Sequence, residues 1–192
     1  MKSMIVSLLL VIAPTIVKAQ NFTLKNQDQK EVSLSDFKGK TVVLEWLNHG
    51  CPFVRKHYDS GNMQKLQEKW TKNGVVWLSI ISSAPGTQGY VNFEDAKKEG
   101  KSNNSKASHI LLDPEGKAGR LYEAKTTPHM YIFNKQGERV YEGAIDSIPD
   151  TKIDSIAKAT NYVDEALTQL SQNQKVRVAK TKAYGCSVKY AE

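Results

Sequence analysis

Cysteine is scarce in this 192-residue chain, with only Cys51 and Cys186 present. Two thiols in so long a chain make no disulfide scaffold, and with the histidines they match no standard zinc spacing. They leave either one long-range staple or chemistry. A long apolar run is also missing. Met4 to Val17 is interrupted by Pro14 and falls short of the about 20 residues a bilayer-spanning helix needs. With Lys2 before it and Val17-Lys18-Ala19 after it, the run reads as a secretory leader cut after Ala19. That places the protein in the periplasm or outside the cell, with no membrane insertion once the leader is removed. The balance of 27 basic to 20 acidic residues gives +7. The lysines are scattered rather than massed on one periodic face, and no nucleic-acid motif accompanies them. This excludes nucleic acid as the expected partner and leaves a solvated basic surface. No internal repeat and no second hydrophobic core is found. The expected organisation is a leader at 1–19, one domain at 20–174 and a tail at 175–192 carrying Cys186.

What is present centres on Trp46-Leu47-Asn48-His49-Gly50-Cys51-Pro52-Phe53-Val54-Arg55. An apolar strand, Thr41 to Leu47, enters this stretch and a helical pattern leaves it. Proline suits the first helical position, where its missing N–H is not needed. Cys51 is therefore expected at the helix N-terminus, where free N–H groups and the helix dipole favour a thiolate. Arg55, one turn on, is a candidate to hold that thiolate or an incoming anion. The alternatives are a small buried cysteine packed as a hydrophobe and a solvated arginine.

Around this centre, residues 22–24 and 31–34 read as a hairpin, and 75–81, 109–112, 130–133 and 139–143 as further strands. Helical spacing is expected over 53–72 with a break at Ser60-Gly61, over 93–99 and 119–122, and over 150–172 as the longest helix. The strand, helix, strand order from 41 to 81 implies a parallel pair with a right-handed crossover. The class is α/β.

The whole chain resembles the thioredoxin-like redoxins related to alkyl hydroperoxide reductase and thiol-specific antioxidant. The resemblance rests on the lead-in Leu34-Ser35-Asp36-Phe37-Lys38-Gly39-Lys40, the Cys51-Pro52-Phe53-Val54 helix start and Thr127-Pro128 before a strand. It also rests on the closing hairpin and on Glu45, six residues before Cys51. It implies a thioredoxin-like fold, a central mixed sheet flanked by helices, with an N-terminal β-hairpin and a C-terminal extension. It also implies a cis Pro128 that brings the Thr127 backbone beside Cys51, and a buried Glu45. The departures are Val54 where thioredoxins carry a second cysteine, Asn48 where peroxiredoxins carry threonine or serine, and no arginine in 126–129.

The implied activity is that of an exported thiol oxidoreductase with Cys51 as nucleophile. Its substrate would be a peroxide or a disulfide, its reductant a thiol protein or a small thiol, and it would need no cofactor and no metal. Cys186 is then a resolving thiol or, alternatively, one end of a structural staple. Buried, Glu45 would have a raised pKa and could shuttle a proton to the departing thiolate. At a strand end it would instead reach solvent or a lysine. The exposed Thr127 backbone is where an extended partner could pair. The alternative from another class is a non-catalytic binding module that holds a protein or copper, with His49, His57 and His129 near Cys51.

Overall fold

The computed structural model describes residues 17–192. The leader proposed at 1–19 thus lies mostly outside the described residues. Strands β1 (Thr23–Asn26) and β2 (Glu31–Ser33) form the expected hairpin, with Thr23 opposite Ser33. Its turn is held by Asn26 Oδ1, which accepts from the Asp28 and Lys30 amides, an arrangement that suits asparagine to turns. A 3₁₀ turn at Leu34–Phe37 leads to β3 (Val42–Trp46). Helices α1 (Pro52–Asp59) and α2 (Asn62–Lys72) follow, separated at Gly61, which sits at φ +73°. Only glycine adopts that conformation without cost, so the helix breaks where the Ser60-Gly61 pair predicts it.

The chain continues through β4 (Val76–Ile81), α3 (Phe93–Ser102), β5 (His109–Leu112) and α4 (Lys117–Leu121). Then come β6 (Thr126–Thr127), β7 (His129–Phe133), β8 (Arg139–Gly143), α5 (Tyr162–Ser171) and β9 (Cys186–Ser187). Seven strands form one mixed sheet in the order β2-β1-β5-β4-β3-β7-β8. β3 is parallel to β4 and antiparallel to β7. This is a thioredoxin-like α/β fold. The two short strands β6 and β9 pair separately.

β3 is covered on both faces, as its nearly continuous apolar sequence predicts. Val42, Leu44 and Trp46 pack into one core, and Val43 and Leu47 into the other with residues of α1, α2 and α5. Glu45 shares the parity of Val43 and Leu47, so its carboxylate enters the second core.

One helix departs from expectation. The 150–172 segment is not a single helix but a 3₁₀ stretch at Ile153–Lys158 followed by α5. Asn161 ends the continuity: its side chain accepts from the Asp164 amide as an N-cap, and its backbone bridges to Asp146. Capping asparagines favour helix starts over helix interiors. The apolar period across 150–172 conceals that start.

Candidate active site around Cys51

Cys51 is the N-cap of α1, in extended conformation, with Pro52 at the first helical position. The Val54 and Arg55 amides donate to its carbonyl at 3.0 and 2.9 Å. The approach to it is fixed by two amide side chains. Asn48 Oδ1 accepts from the Gly50 amide at 2.8 Å, and Asn48 Nδ2 donates to the Gln88 carbonyl at 3.1 Å. Gln88 Nε2 donates back to the Gly50 carbonyl at 3.1 Å. Loop 82–89 therefore braces the cysteine loop. Gly89, at φ +82°, lies so close to the Asn48 side chain that a Cβ there would collide with it.

The Thr127–Pro128 peptide is cis. The Cys51 thiol is fully buried and donates to the Thr127 carbonyl at 3.1 Å. Thr127 in turn lies opposite Cys186 in the antiparallel pairing of β6 with β9. Cys186 thus reaches Cys51 from the tail, and both are free thiols. Burial raises the Cys51 pKa. The Cys186 side chain and amide, with the Val54 amide, outweigh it and bring the thiol below its ordinary value. Cys186 moves the other way, pushed up to about 11 by burial and then by the Cys51 sulfur beside it. The two thiols thus sit in different settings, Cys51 buried at a helix start and lowered, Cys186 on the tail and raised.

Glu45 is fully buried, as the resemblance implies. It accepts from Tyr58 Oη (3.0 Å), Gln67 Nε2 (3.1 Å), Trp77 Nε1 (2.7 Å) and Ser79 Oγ (2.9 Å). Burial raises its pKa against the pull of these four donors. None of these partners is Cys51, so Glu45 makes no direct proton path to the thiol. Its connection is lateral: Tyr58 carries its hydroxyl to Glu45 and meets the His49 ring edge-on at 4.8 Å.

Arg55 does not hold the thiolate. Its side chain is 63% exposed and pairs with Asp59 one turn along α1 at 3.1 Å. Cys51 is the extended N-cap and turns inward independently of the helix, whereas Arg55 and Asp59, one turn apart, share the solvent face of α1. The histidines also separate. His49 stands beside Tyr58, His57 is buried against Asp146, and His129 is buried against Tyr131. Burial lowers each of the three to about 4. Among the described residues no group of three or more His, Cys, Asp or Glu side chains converges on a metal position.

A cluster beside the site carries no sequence signature. Lys56, next to Arg55, is fully buried, with Nζ at 3.1 Å from Asp150 Oδ1, 3.4 Å from Asp146 Oδ2 and 3.0 Å from the Ile148 carbonyl. Asp146 Oδ1 accepts from Tyr184 Oη and from the Ile148 amide. A buried lysine signals pairing, but nothing in Phe53-Val54-Arg55-Lys56 tells which of the two cations is inside. The apolar parity of α1, with Val54 and Tyr58 inward, is the one hint.

Comparison with known proteins accords with this geometry. The AhpC/TSA family model matches residues 17–141, which include Cys51 and Pro128. No curated protein matches the sequence. Among solved structures, an uncharacterized conserved protein from Geobacillus kaustophilus is 25% identical, with a TM-score of 0.77 over 94% of each chain. A hypothetical protein from Sinorhizobium meliloti 1021 has a TM-score of 0.78 at 18% identity, over 94% of this chain and 97% of that one. A candidate thiol:disulfide interchange protein, DsbE, from Chlorobium tepidum is 25% identical, with a TM-score of 0.52 over 65% of this chain and 81% of its own. Family and neighbours together support a thiol-based redox role in general terms.

Proposed function

The chain belongs to the AhpC/TSA family, and from that premise we propose an exported thiol oxidoreductase, a thiol peroxidase or thiol-disulfide reductase, with Cys51 as nucleophile and Cys186 as resolving thiol. The observation that carries this is the pairing of two free thiols across Thr127, with Cys51 shifted toward the thiolate and Cys186 away from it. With a peroxide, the Cys51 thiolate attacks one oxygen, the O–O bond breaks, and the alcohol or water leaves as Cys51 becomes a sulfenic acid. With a disulfide, it attacks one sulfur and expels the other as a thiolate. In either case Cys186 then bonds to Cys51, releasing water or the second thiol. A thiol reductant, protein or small molecule, restores both cysteines.

Thr127 positions the reacting sulfur through its carbonyl, Pro128 fixes the turn into β7, and Glu45 holds the interior beneath the cysteine loop. Export rests on the sequence pattern of residues 1–19. No helix among the described residues is long and apolar enough to cross a membrane.

The test is turnover of hydrogen peroxide and of a small disulfide with excess thiol reductant. Cys51→Ser is expected to fall to the background rate, while Cys186→Ser keeps a stoichiometric first oxidation and turns over only through attack by the outside thiol, so its rate rises with thiol concentration where that of wild type does not. Arg55→Ala is expected to match wild type. Turnover that survives in Cys51→Ser, or a wild type with none, overturns the proposal and favours the binding module.

A further inference from the structure

The edge of Thr126–Thr127, expected from the sequence to be open to an extended partner, is occupied by the chain's own tail. Thr126 lies opposite Ser187 and Thr127 opposite Cys186, and the Val188 amide donates to the Lys125 carbonyl at 3.1 Å. The Lys189 carbonyl accepts from the Ala84 amide at 2.8 Å. A two-residue ladder is a weak attachment by itself. What fixes it is a tyrosine at each end.

Tyr184 donates its hydroxyl to buried Asp146 and sets its ring edge-on to Phe53 of α1, centroids 5.8 Å apart. Asp146 is itself anchored by the Ile148 amide and the buried Lys56. Tyr190 donates to the Ala124 carbonyl at 2.7 Å, lies against Gly116 and Gly119, and carries the Arg120 guanidinium over its ring at 4.7 Å. Between the anchors, Gly185 at φ +137° passes so close to the Thr127 carbonyl that a Cβ there would collide with it. These contacts place Cys186 and cover the edge that an outside strand would need.

We infer that Tyr184 and Tyr190 are positioning residues that hold 184–190 as a strap, so that Cys186, rather than an outside thiol, completes the chemistry begun at Cys51. This rests on Cys51 being the nucleophile. Once Cys51 is a sulfenic acid, two thiols compete for it. Cys186 attacks its sulfur to form the internal disulfide and release water. An outside thiol forms a mixed disulfide, also releasing water. The strap acts by raising the effective concentration of Cys186 at that sulfur.

The test uses the full chain, reduced, then treated with one equivalent of hydrogen peroxide across a glutathione series. Intact-mass and peptide mapping give the ratio of Cys51–Cys186 disulfide to glutathionylated Cys51. Both products follow the first oxidation, and Cys186 also converts the mixed disulfide to the internal one by displacing glutathione, so the ratio reports the placement of Cys186 and a change in the rate of the first oxidation cancels from it. Tyr184→Phe keeps the ring and removes only the hydroxyl that reaches a carboxylate. It is expected to shift the ratio toward glutathione by about tenfold, the scale set by losing a hydrogen bond to a charged group. Tyr190→Phe is expected to move it in the same direction by less, because its acceptor is a neutral carbonyl. An unchanged ratio in both variants, with Cys51 oxidised and melting temperatures held, overturns this inference alone. Cys51 left unoxidised in every variant overturns the thiol-redox proposal beneath it as well.

Discussion

Two buried carboxylates, Glu45 and Asp146, flank the cysteine site, and they are built in opposite ways. Glu45 is neighboured by no cation in its hydrogen-bond shell and is saturated by four neutral donors from α1, α2 and β4. Asp146 faces Lys56 and accepts from Tyr184. Its Oδ2 makes no hydrogen bond, with the equally unpartnered His57 Nε2 at 3.8 Å. A saturated carboxylate locks its surroundings, whereas a half-satisfied one beside a buried lysine depends on charge balance. The difference matters because Glu45 ties together elements of the sheet core, while Asp146 ties the core to the tail that carries Cys186. The site therefore stands on a rigid side and a conditional one.

Removing the charge balance breaks the comparison most strongly. Lys56→Met leaves Asp146 buried without its cation and is expected to cost about 3–5 kcal/mol in denaturant unfolding. A cost near zero would mean that Asp146 is satisfied without Lys56, and that the two carboxylates are alike. Glu45→Gln is expected to cost less, about 1–3 kcal/mol, since one amide oxygen still accepts while the amide nitrogen faces donors. Its pH dependence sharpens the contrast. The native pKa of Glu45 is raised, chiefly by burial. The native state therefore binds this proton more tightly than the unfolded chain, and the resulting stability is complete below the ordinary glutamate pKa. It is lost as pH rises through the raised native value. Measured by unfolding at a series of pH values, the deficit of Glu45→Gln is expected to be greatest in acid and to shrink as pH rises. A deficit that grows with pH would show a carboxylate held ionised instead.

Much of the rigid side was legible in the sequence. Glu45 interrupts an apolar strand, which by itself leaves a buried acid and a strand end reaching solvent both open, and the family resemblance is what pointed to burial. Cys51-Pro52 marks a helix start because proline tolerates that position, and Gly61 marks a break because its φ suits glycine. The conditional side was not legible. Lys56 and Arg55 are adjacent cations, and only the rotation of α1 about Val54 and Tyr58 decides that Lys56 goes inward while Arg55 pairs with Asp59. Asp146 sits in a loop with no local pattern, and beyond the nearby Ile148 amide its partners, Lys56 and Tyr184, are distant in sequence. Asn48 and Gln88 brace the cysteine loop through side-chain amides that meet only once the chain has folded. The split of the 150–172 segment was hidden because apolar spacing continues across the Asn161 cap. Contacts between residues distant in sequence leave no periodic trace, which is why the Cys51-Pro52 helix start was readable and the contacts that bring Cys186 beside it were not.

The most direct measurement is thiol mapping of the full chain, reduced under mild conditions and then exposed to one equivalent of hydrogen peroxide or of a small disulfide. The expected result is two free thiols at the start, rapid loss of Cys51, and a Cys51–Cys186 bridge that mild thiols reverse. A bridge present from the outset that resists mild thiols would contradict it and make the pair a structural staple.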